Sequence, residues 1–282
     1  MIAKASQHPG HMIVEISPRG ICTPALETAL KLARAYGLEI EGLFVEDEDL
    51  IALAQMPFSC EVQVISGQIR VLEPRQIEAD FRLIASATRR EFERGARAAA
   101  LTHRFRVVRE TAARAVEREA RSAELVFLAE LTARARRQAD LQRLILDQSQ
   151  VTDLVFFGPN ARAHSGPVLV VLDEDTRYPV LAEHALKVAT SETTDIGIVM
   201  LGEPSRRLTD VTRQFQAKLP VEIPHWVVHE PSNDPGAVAR VASRKTASLL
   251  IVDARSRWTS RSDHLTRLIL HSGSPVLVAG RR

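Results

Sequence analysis

Glu27-Thr28-Ala29-Leu30-Lys31-Leu32-Ala33 returns in the second half of the chain as Glu183-His184-Ala185-Leu186-Lys187-Val188-Ala189. Leu141-Gln142-Arg143-Leu144-Ile145-Leu146 likewise returns as Leu265-Thr266-Arg267-Leu268-Ile269-Leu270. Such self-similarity marks a duplicated module, and it allows a residue that a ligand site needs to be sought in each half. The chain has 282 residues, near twice the common domain size of about 100–150 residues, so two domains are expected.

Around the first repeat, Met12 to Ile16 is a short β-branched run, followed by Leu26, Ala29, Leu30 and Ala33 on one helical face. Thr23 and Pro24 predict an N-cap and a first-turn proline, and Gly37 predicts a left-handed C-terminal cap. A second strand, Glu39 to Val45, comes next. Around the second repeat, Val168 to Leu172, a stripe of Ala182, Ala185, Leu186 and Ala189, and Ile196 to Leu201 repeat that order.

The halves then diverge. The first carries a Pro-punctuated excursion from Ile51 to Pro74 and a helix over about 76–100, with Ile77, Phe81, Ile84 and Phe92 on one side. The second has only a shorter helix over about 205–218. They reconverge where Val107-Val108-Arg109-Glu110 parallels Val227-Val228-His229-Glu230. Helices over about 112–122 and 235–245, strands over 124–128 and 248–252, helices over about 136–146 and 263–271, and strands over 154–157 and 276–279 complete them. Alternating apolar strands and helices predict an α/β fold of two tandem doubly wound, five-stranded parallel-sheet domains. Ala161 to Gly166 reads as the linker, with domains over 1–163, including the insertion after the second strand, and 164–282.

Composition narrows the function classes. Hydrophobic residues make up 45% of the chain and charged residues 26%, as in ordinary globular proteins. A net charge of +2 gives no electrostatic footprint for nucleic acid. Cys22 and Cys60 form no disulfide framework and have no metal-ligand spacing, so free thiols in a reducing compartment are expected. With neither an apolar signal segment nor a run of about 18 apolar residues, the reading is a cytoplasmic protein without a membrane partner.

The element order in tandem resembles the universal stress protein family. Local matches are Glu183 to Ala189 in the first helix, Gly42-Leu43-Phe44-Val45 in the second strand, and Ser274-Pro275-Val276-Leu277-Val278 leading into the last. The resemblance implies two halves packed as an intrachain pseudo-dimer through their last strands. For ATP-binding members it also implies an Asp ending the first strand and a glycine-rich loop after the fourth, whose N–H groups approach the phosphates. Asp173 stands at the first position, but Ser17 replaces it in the first half. The loop reads Asp253-Ala254-Arg255-Ser256 in one half and Ala129-Glu130-Leu131-Thr132 in the other, without the glycines, and Ser262-Asp263 replaces the Gly-Ser pair. Asp253 and Glu130 would also repel phosphate.

Other constellations carry less. His8-Pro9-Gly10-His11 has the spelling of a nucleotidylyltransferase signature but lies upstream of the first strand, at the wrong sheet edge. His225 and His229 share a strand face about 13 Å apart, too far for one metal, and His264 and His271 lie two helical turns apart. Glu46-Asp47-Glu48-Asp49 fits the first turn of a helix, where the dipole favours negative charge.

The expectation is therefore a non-catalytic stress-response or regulatory protein of the universal stress type, with no catalytic residue, metal or ordinary ATP cofactor. It would act through a protein partner or homo-oligomer. The alternative is an adenine-nucleotide-binding sensor using the second domain, holding ATP through Asp173, Arg255, Ser256 and Ser262.

Overall fold

The computed structural model describes residues 10–57, 59–62, 67, 69–71, 73–129, 152–261 and 263–280. The repeat at 141–146, the helix expected over 136–146, Glu130, Ser262, His8 and Pro9 lie outside them.

The first half opens with β1 (His11–Ile16), α1 (Thr23–Tyr36), β2 (Glu39–Asp47) and α2 (Glu48–Gln55). A separate hairpin, β3 (Cys60–Val62) and β4 (Ile69–Val71), leads to α3 (Pro74–Ala98). Then come β5 (His103–Glu110), α4 (Ala112–Ala120), β6 (Leu125–Leu128) and β7 (Asp153–Phe156). The second half contains β8 (Val168–Leu172), α5 (Tyr178–Glu192), β9 (Ile196–Leu201), α6 (Arg206–Gln216) and β10 (His225–Glu230). It ends with α7 (Pro235–Arg244), β11 (Leu249–Asp253), α8 (His264–His271) and β12 (Val276–Ala279).

Ten strands form one sheet in the order β10-β9-β8-β11-β12-β7-β6-β1-β2-β5. Within each half the pairs are parallel, and the order out from the join is fifth, fourth, first, second and third strand. The halves meet through antiparallel β7 and β12, with Leu277 opposite Val155. The repeated Glu27–Ala33 and Glu183–Ala189 segments lie on α1 and α5, which pack against each other.

Inner strands β6, β7, β8, β11 and β12 are buried along their whole lengths, as Val/Leu/Ile-rich strands covered on both faces should be. One core lies under α1, α3 and α5, and the other under α4, α7 and α8. Edge strand β10 alternates between exposed and half-buried residues, and β5 does so along most of its length.

α1 ends at Gly37 with φ 65°, the left-handed conformation that favours glycine. Its start differs from expectation. Cys22 occupies the N-cap without a side-chain hydrogen bond, while Thr23 and Pro24 lie inside the first turn. The acidic run divides as a helix start requires: Asp47 caps α2 by accepting from the Asp49 N–H at 3.1 Å, and Glu46 turns to Arg109.

Candidate functional site

Ligands of doubly wound sheets bind beyond the carboxyl ends of the strands, where the strand order reverses. In the second half that point lies between β8 and β11, followed by Asp173 and ended by Asp253. Asp253 is 1% exposed, and a carboxylate taken out of water needs a cation and hydrogen bonds. Arg177, at the start of α5, provides both. Its Nη2 lies 2.7 Å from Asp253 Oδ1, its Nε lies 3.2 Å and 3.3 Å from the two carboxylate oxygens, and its backbone N–H donates to Oδ2 at 2.7 Å. The Arg255 N–H adds a bond to Oδ1 at 2.9 Å.

Asp173 is also engaged. Its Oδ1 accepts from the Asp175 N–H at 3.1 Å and the Thr176 hydroxyl at 2.7 Å. Its Oδ2 accepts from the Trp258 N–H at 3.3 Å. Trp258 is buried, donates its indole N–H to the Asn233 carbonyl at 2.9 Å, and stands edge-on to His264. Burial, with Arg261 nearby, lowers the His264 imidazole below its ordinary value.

The loop from β11 to α8 closes on itself. The Thr259 hydroxyl reaches the Asp253 carbonyl at 2.6 Å and lies 3.1 Å from the Ser256 hydroxyl. The Ser260 hydroxyl donates to the Ser256 carbonyl at 2.8 Å. Phosphate-binding loops instead aim free backbone N–H groups at the ligand. At the rim, Asp175 is held between Arg207 at 2.6 Å and Arg257 at 2.9 Å. Arg255 and Arg206 are exposed and make no ion pair among the described residues.

Asp173 and Arg255 thus stand at the same sheet edge: Asp173 accepts from the Trp258 N–H, and the Arg255 N–H is taken by Asp253, which also binds Arg177. Ser256 is 4% exposed; its hydroxyl lies 3.1 Å from that of Thr259 and accepts from the Thr259 N–H at 3.2 Å. The sequence marks Asp253 as an acid that would repel phosphate, but it does not mark Arg177, whose only signal is a cation shortly after the strand-ending Asp173.

The first half differs. Ser17 closes a tight turn with Gly20, whose N–H donates to the Ser17 carbonyl at 2.9 Å. Arg109 bridges Glu46 at 3.0 Å and Glu78 at 2.9 Å. His229 points to the Gly202 carbonyl at 2.7 Å and His225 to the Ile223 carbonyl at 3.3 Å. No cluster of metal-ligating side chains occurs among the described residues, and no described helix is long and apolar enough to cross a membrane.

Comparison with family models finds no match, and neither does comparison with curated protein sequences. Solved structures do match. A universal stress protein from Archaeoglobus fulgidus aligns at TM-score 0.64 and 12% identity over 95% of this chain and 96% of its own. A Pseudomonas aeruginosa protein described as a universal stress protein aligns at TM-score 0.57 and 15% identity, over 95% and 92%. The cytoplasmic domain of a prokaryotic cation chloride cotransporter aligns at TM-score 0.52 and 13% identity, over 96% of both. The chain therefore has, along nearly its whole length, the fold of universal stress proteins.

Proposed function

We propose that this chain is a non-catalytic regulatory protein of the universal stress type, built as an intrachain pseudo-dimer of domains 1–163 and 164–282, in which the second domain does not bind ATP in the family's usual way. The supporting observation is the Arg177–Asp253 pair. Its carboxylate stands where phosphate oxygens would approach, and its guanidinium is committed to that carboxylate. A phosphate would have to displace a doubly hydrogen-bonded partner from a buried site, at a cost of several kcal/mol.

A protein-binding role agrees with the apolar side chains exposed around the excursion, among them Met56, Ile69, Val71 and Leu83. The same fold also serves as the cytoplasmic domain of a cotransporter.

Complementation tests the reading. In cells lacking this chain and grown under a panel of stresses, Asp173→Ala should restore survival as well as the natural chain, whereas deletion of 56–74 should not. Failure of a stably folded Asp173→Ala chain to rescue would move the assignment to the alternative, an adenine-nucleotide sensor. Exposed Arg206 and Arg255 at the carboxyl edge favour that second reading, because guanidinium groups suit phosphate oxygens.

A further inference from the structure

The helices that carry the repeated sequence meet around a buried polar chain. The Tyr36 hydroxyl, at the end of α1, lies 2.7 Å from His184 Nδ1 on α5. His184 Nε2 lies 3.4 Å from Asp153 Oδ2 at the start of β7. The other carboxylate oxygen of Asp153 accepts from the Gly280 N–H at 2.9 Å, just beyond β12. One line of contacts therefore runs from the first half through a helix of the second to the strand pair that joins them. His184 and Asp153 are 5% and 4% exposed.

With the phenol as donor, Nδ1 is assigned as the acceptor and the proton to Nε2, which lies 3.4 Å from Asp153 Oδ2; this is a neutral imidazole. The three groups do not make an activated nucleophile. Burial, reinforced by the Asp153 and Glu183 carboxylates, raises the Tyr36 phenol well above its ordinary value, so it remains a hydrogen-bond donor.

We propose that His184 is a proton-sensitive latch on the join between the halves: neutral, it ties α1, α5 and β7 together through Tyr36 and Asp153; protonated, it loosens them. Protonation turns Nδ1 into a second donor facing the Tyr36 O–H, and places a cation in a site with little water to solvate it.

The groups around it are defined among the described residues. Tyr36 faces it from α1, Asp153 from β7, and Glu183 and Lys187 from its own helix. Lys31 and Arg34 of α1 are held by Glu192 at 3.3 Å and 3.1 Å. From α6, Arg207 and Arg213 are paired with Asp175 and Asp210. β8 and β11 contribute Val168, Val170, Leu249 and Ile251 to the core beneath α5. Burial lowers the His184 imidazole below its ordinary value, outweighing the attraction of Asp153 and Glu183, and Lys187 lowers it further. The latch is therefore fully closed above about pH 6.5, the unfolded value. Its stabilisation is lost as pH falls from there through the lower folded value.

The test is imidazole NMR and amide hydrogen exchange on the full chain from about pH 8 to about pH 5, with melting curves of the natural chain and His184→Gln. His184 should titrate below the ordinary imidazole value, and exchange in β7, β12 and the facing turns of α1 and α5 should quicken over the same range. The melting temperature should also fall more steeply with acid in the natural chain than in His184→Gln. A His184 that titrates at or above the ordinary value, or parallel melting profiles, would overturn the latch. Should His184→Gln fail to fold, the titration and exchange of the natural chain decide alone.

Discussion

At the scale of single residues, the proposed loss of ordinary ATP binding rests on Arg177 and Asp253. A carboxylate at the end of β11 is tolerable because Arg177 brings its guanidinium and its backbone N–H to it, and the Arg255 N–H adds a further bond. Arg177→Met removes the cation from a buried carboxylate, and should lower the unfolding free energy in urea by about 3 kcal/mol. Arg257→Ala is the control. That side chain is 87% exposed, and its loss should change stability by less than about 1 kcal/mol. Equal effects from the two variants would show that the buried pair has no special role. Asp253 was legible in the sequence as an acid in the loop where the resemblance expects glycines, and the strands that Asp173 and Arg255 follow were legible from their apolar runs. The Arg177 contact was not legible, because it joins residues 76 positions apart, and neither repeat nor periodicity reports side-chain direction.

At the scale of elements, the two halves share one strand order and differ in detail. Each half sets an aromatic side chain against a glycine in its second strand: Phe105 lies opposite Gly42, and Trp226 opposite Gly197. The two aromatics pack into different cores, Phe105 under α1 and α3 and Trp226 under α7 and α8. A Cβ at Gly42 would lie 2.7 Å from Phe105, and one at Gly197 would lie 2.4 Å from Leu169 and 2.6 Å from Trp226. Gly42→Ala and Gly197→Ala should each cost about 1–3 kcal/mol through overpacking, measured by chemical denaturation; unchanged midpoints would contradict this packing. Strand β5 shows how an edge is protected. Buried Glu41 binds both Arg104 and Arg106, the latter at 2.6 Å, and Arg106 also reaches Glu119 at 2.8 Å. Such a charged edge discourages pairing with another chain. The inner strands were legible because burial on both faces leaves an uninterrupted apolar run. The β3–β4 hairpin was not, because its strands are only three residues each and stand apart from the main sheet.

At the scale of the whole molecule, one ten-stranded sheet runs through both halves, and its join lies at antiparallel β7 and β12 beneath paired α1 and α5. A fragment of residues 164–282 would bare the apolar edge of β12, and an open, fully apolar strand edge seeks another strand. That fragment should self-associate through β12 in sedimentation measurements, whereas Leu277→Lys should weaken the association. A fragment that stays monomeric would show that β7 is not needed to cover that edge. The alternation of apolar strands and helices was legible in the sequence, and the structure is a mostly parallel α/β sheet. The chain has the fold of universal stress proteins, and we propose that the Arg177–Asp253 pair keeps its second half from binding ATP in the usual way. The most direct test of this claim is equilibrium binding of ATP with Mg²⁺ to the full chain at millimolar nucleotide. The account predicts no saturable binding to the natural chain; saturable binding that Asp173→Ala abolishes would contradict it.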